Sequence, residues 1–131
     1  MKRIGDMYHS DDWKNEKHVP VIEAPASVKK GVPFPVSVAV GKEIAHPNTT
    51  EHHIRWIQLF FKADGGKFVH QVGEFVFTAH GEAVEGPNQG VVTTDHRVTC
   101  TLAIKDSGTL IATSYCNIHG LWENSSVVRV E

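Results

Sequence analysis

Arg97-Val98-Thr99-Cys100-Thr101-Leu102-Ala103-Ile104-Lys105 alternates apolar and polar side chains along its length. Successive side chains of a strand point to opposite faces, so Val98, Cys100, Leu102 and Ile104 are expected on one apolar face. Pro35-Val36-Ser37-Val38-Ala39-Val40 alternates valine with small residues in the same way. Residues 54–61, 68–77, 109–115 and 126–130 read as further strands, and residues 19–23 as the first. Asp64-Gly65-Gly66-Lys67 and Asp106-Ser107-Gly108 read as hairpin turns, in which glycine takes positive φ without a Cβ clash. No amphipathic helix longer than a turn or two is visible. About seven short strands punctuated by turns predict an all-β fold, an immunoglobulin-like antiparallel β-sandwich. Residues 41–53 and 79–90 break the strand rhythm as long loops, and such loops in a small β domain often carry function.

A chain of 131 residues suits one domain, 1–131, with residues 1–12 expected as a loosely ordered N-terminal segment. A formal charge of -2 argues against a broad nucleic-acid or membrane-binding face. The polar start MKRIGDMYHSDDWKNEKH lacks the apolar stretch of a secretory signal, which predicts a cytoplasmic protein. Two cysteines, Cys100 and Cys116, are too few for a disulfide framework.

Nine histidines are the compositional surprise, because imidazole is the commonest metal ligand. Five of them gather in Glu16-Lys17-His18, in His46-Pro47-Asn48-Thr49-Thr50-Glu51-His52-His53, and in Cys116-Asn117-Ile118-His119. Each cluster sits in a loop or at a strand end, from which side chains can converge. Thiolate with imidazole suits zinc, copper or iron and disfavours calcium and magnesium. Cys116 with His18, His46, His119 and one of the pair His52-His53 makes five donors. A structural zinc site closes with four, so five donors suggest a metal with one position open. If the chain is extended there, only one of His52 and His53 reaches the metal, and strand alternation does not say which. Cys100 reads as a small buried hydrophobe, and His9, His70, His80 and His96 as solvated or ordinarily hydrogen-bonded. Trp13, Trp56 and Trp122 read as core or loop anchors.

EKHVPVI (residues 16–22), VGKEIAHPNTTEHHIRW (40–56) and SYCNIHGLWE (114–123) closely resemble the superoxide reductases, a family that includes neelaredoxin and the iron domain of desulfoferrodoxin. GEAVEGPN (81–88) is similar to a further segment of the family. The resemblance runs from Trp13 to Glu123 and implies one iron per chain, active as Fe(II) and resting as Fe(III). The implied ligands are His18, His46, His52 and His119 around the metal and the Cys116 thiolate on its axis, which selects His52 over His53. It also implies reduction of superoxide to hydrogen peroxide, with re-reduction by an external donor such as rubredoxin, and often a homotetramer. Lys17 is expected to attract superoxide and stabilise the developing peroxide charge, and Glu16 to be the sixth ligand of the ferric state. No cysteine precedes Cys100, so the chain resembles the one-iron members without an N-terminal four-cysteine module. One departure is Ala45 before His46, where the family pattern leads us to expect proline; its loss loosens φ in that loop. Backbone N–H groups of Ile118 and His119 are expected to hydrogen-bond the Cys116 sulfur. Two rival readings are a blue-copper carrier and a binding module with incidental zinc. The first lacks a downstream methionine, since Met1 and Met7 lie far from Cys116.

Overall fold

The computed structural model describes residues 1–131. It contains a single 3₁₀ turn, Ile4–Met7, and eight strands: β1 Pro20–Glu23, β2 Ser27–Val28, β3 Phe34–Val40, β4 Ile54–Ala63, β5 His70–Val76, β6 Arg97–Leu102, β7 Gly108–Cys116 and β8 Gly120–Val130. The strands form two sheets, of order β1-β3-β6 and β2-β8-β7-β4-β5. The expected β-sandwich is therefore present. Two-residue β2, which joins β8 in parallel, and the first half of β8 are additions to the sequence reading. No helix is long and apolar enough to cross a membrane.

Alternation builds the core. Val36, Val38 and Val40 of β3 face Ile57 and Leu59 of β4 and Leu110 and Ala112 of β7 within one buried cluster. Ile57, Leu59 and Leu110 are fully buried, and each such side chain contributes about 1.5–3 kcal/mol over an exposed one. In β6 the alternation is observed, but Val98, Cys100 and Leu102 are only half-buried because β6 is an edge strand. Cys100 is thus less enclosed than expected. Ile104 is buried although β6 has ended, its carbonyl accepting from Gly31 N–H.

Asp64-Gly65-Gly66-Lys67 does join an antiparallel pair, β4 and β5, with Gly65 at φ 74°. Asp106-Ser107-Gly108 does not. It carries the chain from β6 in one sheet to β7 in the other, and glycine is needed there for a different reason. A Cβ at Gly108 would sit 2.3 Å from the Lys62 carbonyl oxygen and 2.6 Å from the Phe61 ring.

The pairing gathers the histidine-bearing segments at one end of the sandwich. Pro20 at the start of β1 lies opposite Val40 at the end of β3, and Ile54 at the start of β4 lies opposite Cys116 at the end of β7. His18, the loop of residues 41–53 and the β7–β8 turn therefore meet. The sheets are tied there by Ser114 Oγ donating to the His18 carbonyl at 3.4 Å.

Candidate metal centre

Cys116 ends the inward-facing series Gly108, Leu110, Ala112, Ser114, so alternation alone aims its sulfur between the sheets, where it is fully buried. Asn117, Ile118 and His119 then make the turn, and Gly120, paired with Cys116, takes φ 82°. This left-handed residue suits a three-residue hairpin and returns His119 toward the sulfur. His119 Nδ1 lies 3.8 Å from Cys116 Sγ, and His119 N–H donates to Sγ at 3.4 Å. The expected second donor, Ile118 N–H, makes no such bond.

The imidazoles of His18, His46, His52 and His119 form a ring. Neighbouring centroids are 5.0 Å apart for His18–His46, 4.8 Å for His46–His52, 5.0 Å for His52–His119 and 4.6 Å for His119–His18. Across the ring, His18 and His52 are 6.4 Å apart. Donor atoms of His18, His52, Cys116 and His119 all lie within 4.8 Å of one another. His46 falls outside that tight group, but its Nε2 is buried with no hydrogen-bond partner and its ring completes the circle.

The outer nitrogens show what the inner ones offer. His18 Nδ1 donates to Glu16 Oε1 at 2.6 Å, and His46 Nδ1 donates to the Pro47 carbonyl at 2.6 Å. With the hydrogen outside, Nε2 of each turns a bare lone pair inward. His119 Nδ1 stands 3.1 Å from His18 Nε2 and 3.2 Å from His52 Nε2. A single N–H can satisfy only one of those contacts. Converging lone pairs beside a cysteine sulfur fit a cation of borderline softness, iron among them.

His52 turns toward this ring while His53 turns away. His53 Nδ1 donates to the Thr49 carbonyl at 2.9 Å, and its ring stacks on His80 with centroids 3.4 Å apart. Lys17 is half-buried beside the ring, makes no hydrogen bond or ion pair, and its charge lowers the pKa of Glu16, His18 and His52. Glu16 lies against His18. Its carboxylate accepts both His18 Nδ1–H and His18 N–H, so it grips the outer side of that imidazole. Burial pulls the Glu16 carboxyl upward, but these two bonds and the charges of His18 and Lys17 leave it below the usual range.

Several supporting residues escaped the sequence reading. Asn117 accepts His53 N–H at 2.9 Å, donates to the Glu51 carbonyl at 2.9 Å, and its own N–H reaches the His53 carbonyl. It therefore ties the His52 loop to the cysteine turn. Asn88, at φ 64°, braces the same loop through Thr50 and Glu51. His80 and His96 are buried rather than solvated, each with one ring nitrogen unpartnered. Gly41, at φ 78°, lets the His46 backbone approach, since a Cβ there would lie 2.5 Å from His46 N. The only legible signal for these positions was their presence in or beside the quoted motifs.

Burial favours the neutral form of His18, His46 and His52. Desolvation lowers His46 from 6.5 to about 3, with the charges of His18, His52 and His96 adding to it, and it lowers His18 and His52 as well. Neutral imidazole is the form that ligates. Unfolded, these histidines gain protons around and below pH 6.5; in the folded metal-free chain His46 does so only near pH 3, and His18 and His52 are shifted in the same direction. The unfolded state then binds more protons, so the metal-free protein should lose stability as pH falls through this window. Carboxylates with lowered pKa add their own loss only near and below 4.5. Denaturant midpoints of metal-free protein should therefore already decline between about pH 6.5 and about pH 5. A flat profile over that interval would contradict this account of the ring.

Comparison with known proteins points to one family. The family model described as desulfoferrodoxin matches residues 10–125. The neelaredoxin of Megalodesulfovibrio gigas is 59% identical over 129 residues, covering 98% of this chain and 99% of that protein. The superoxide reductase of Pyrococcus furiosus is 56% identical over 121 residues, covering 92% of this chain and 95% of its own. Among solved structures, a putative superoxide reductase of Thermotoga maritima superposes with a TM-score of 0.98 at 56% identity, covering 100% of this chain and 99% of that one. The reduced superoxide reductase (neelaredoxin) of Archaeoglobus fulgidus gives 0.87 at 50% identity, covering 94% and 98%. With a matching domain over most of its length, full-length relatives and one shared architecture, the chain belongs to the desulfoferrodoxin family.

Proposed function

We propose that this chain is a superoxide reductase that holds one iron ion through His18, His46, His52, His119 and the thiolate of Cys116. The observation that carries the reading is the ring of four imidazoles beside a buried cysteine sulfur, in a chain whose relatives are named superoxide reductases. Iron, when bound, supplies the single electron that converts superoxide, with two protons, into hydrogen peroxide. An external donor such as rubredoxin returns that electron, and the working unit is a homotetramer.

The residues divide the remaining work. Four neutral imidazoles and one thiolate neutralise only part of a divalent charge, so the pocket stays attractive to an anion. Lys17 adds an ammonium with no partner of its own, which draws superoxide in and stabilises charge building up on its oxygens. Its Nζ also holds a proton beside the reacting oxygen atoms. The His119 N–H bond to Sγ supports the sulfur as an anion and restrains how much density it donates. Glu16 fixes the tautomer of His18 through Nδ1, and as a carboxylate beside the ring it is also the candidate to cap the oxidised metal.

Metal analysis with an optical spectrum tests this assignment. Purified protein should carry one iron per chain, absorb in the visible when ferric through sulfur-to-iron charge transfer, and bleach on reduction. Stoichiometric zinc without visible absorption, or intense copper–thiolate absorption, would overturn it.

A further inference from the structure

His18 is gripped at two points, and neither sets the tilt of its ring. Glu16 holds Nδ1 and the converging donors lie at Nε2, and the ring nitrogens of imidazole direct their N–H and lone pair in the ring plane. The χ2 torsion of histidine is soft, so the tilt of that plane needs another restraint. Trp122, in β8, supplies one. Its indole lies nearly parallel to the His18 ring, at 16° with centroids 5.0 Å apart.

The same indole reaches the cysteine turn. Trp122 Nε1–H donates to the His119 carbonyl at 3.2 Å. That carbonyl belongs to the peptide entering Gly120, whose φ of 82° carries no steric cost because it lacks a Cβ. A peptide beside such a residue is free to swivel unless its oxygen is held. The N-terminal segment then closes on the indole. His9 N–H donates to the Leu121 carbonyl at 3.0 Å, Glu123 N–H donates to the His9 carbonyl at 2.9 Å, and the His9 ring packs 5.2 Å from Trp122.

We propose that Trp122 is a positioning residue of the metal centre, setting the ring plane of His18 by stacking and the backbone of His119 by its indole N–H, with His9 holding it in place. This rests on the ligand assignment above. One side chain thereby couples a ligand from the β1 end to a ligand from the β7–β8 turn, and the first residues of the chain become part of the site's support.

The test compares iron-loaded wild type with Trp122→Leu, Trp122→Phe and His9→Ala, using competition against a chromogenic iron chelator and the ferric absorption spectrum. Trp122→Leu loses both restraints and should lower iron affinity about 10- to 100-fold, the scale for residues that orient ligands. Its charge-transfer band should also shift. Trp122→Phe keeps a stacking face without the N–H and should fall between, and His9→Ala should show the smallest loss. A folded Trp122→Leu with wild-type affinity and an unshifted band overturns the proposal, even if its thermal stability drops. If that variant does not fold, unchanged affinity and spectrum in both Trp122→Phe and His9→Ala overturn it equally. Wild type that takes up no iron would instead sink the ligand assignment itself.

Discussion

Cys116→Ser should erase the sulfur-to-iron band and most of the superoxide reduction while leaving the sandwich folded. The sulfur closes the inward-facing row of β7 and is fully buried, so serine fits the space with little repacking. It cannot reproduce the donor. A serine hydroxyl resists ionisation near neutral pH, and no charge-transfer band of sulfur origin can persist without sulfur. The drop in rate should reach at least the upper end of the about 10- to 100-fold that loss of a mere supporting partner costs. Iron content falls as well, because one of five donors is now weak. The check is absorption of the ferric protein with pulse-radiolysis kinetics, and circular dichroism shows that the fold survives. Retention of the same visible band would contradict the ligand assignment.

Lys17→Ala should separate attraction from metal binding. Lys17 is half-buried between Glu16 and His18, makes no ion pair, and its charge reaches Glu16, His18 and His52. It is absent from the converging donor group, so iron should be retained. Steering by a focused charge accelerates encounter with a small anion by 10-fold or more, and the second-order rate with superoxide should fall by about that factor. The rate should also depend less on ionic strength, since the screened attraction is the part removed. Lys17→Arg keeps the charge and should restore most of both. Equal rates and equal salt slopes in Lys17→Ala and wild type would remove Lys17 from the mechanism.

Much of the fold was readable because alternation survives in β3 and β7, whose inward residues are buried against each other. The same row in β6 was overread, since period alone does not say whether a strand lies in the middle of a sheet or at its edge. Gly108 was misread for a related reason: glycine marks a turn or a close approach, and only the neighbouring Phe61 and Lys62 decide which. At the centre, the Cys116 to His119 spacing was legible because the pair forms a single hairpin turn. Asn117, Asn88 and Trp122 were not. They act through partners made near only by folding, such as His53 and Asn117, 64 positions apart, or Thr50 and Asn88, 38 apart. Polar loop residues carry no periodic signature, so chemistry between distant loops leaves no local mark.

Superoxide reduction fed by an external electron donor, rather than dismutation, is the chain's proposed main reaction. The most direct measurement adds superoxide anaerobically to ferrous protein and counts hydrogen peroxide and dioxygen, with and without an added reductant. A reductase forms one hydrogen peroxide per superoxide consumed, releases no dioxygen, stops when its iron is ferric and resumes when reductant is supplied. Half a peroxide per superoxide, with matching dioxygen and sustained turnover without reductant, would make the protein a dismutase and contradict the account.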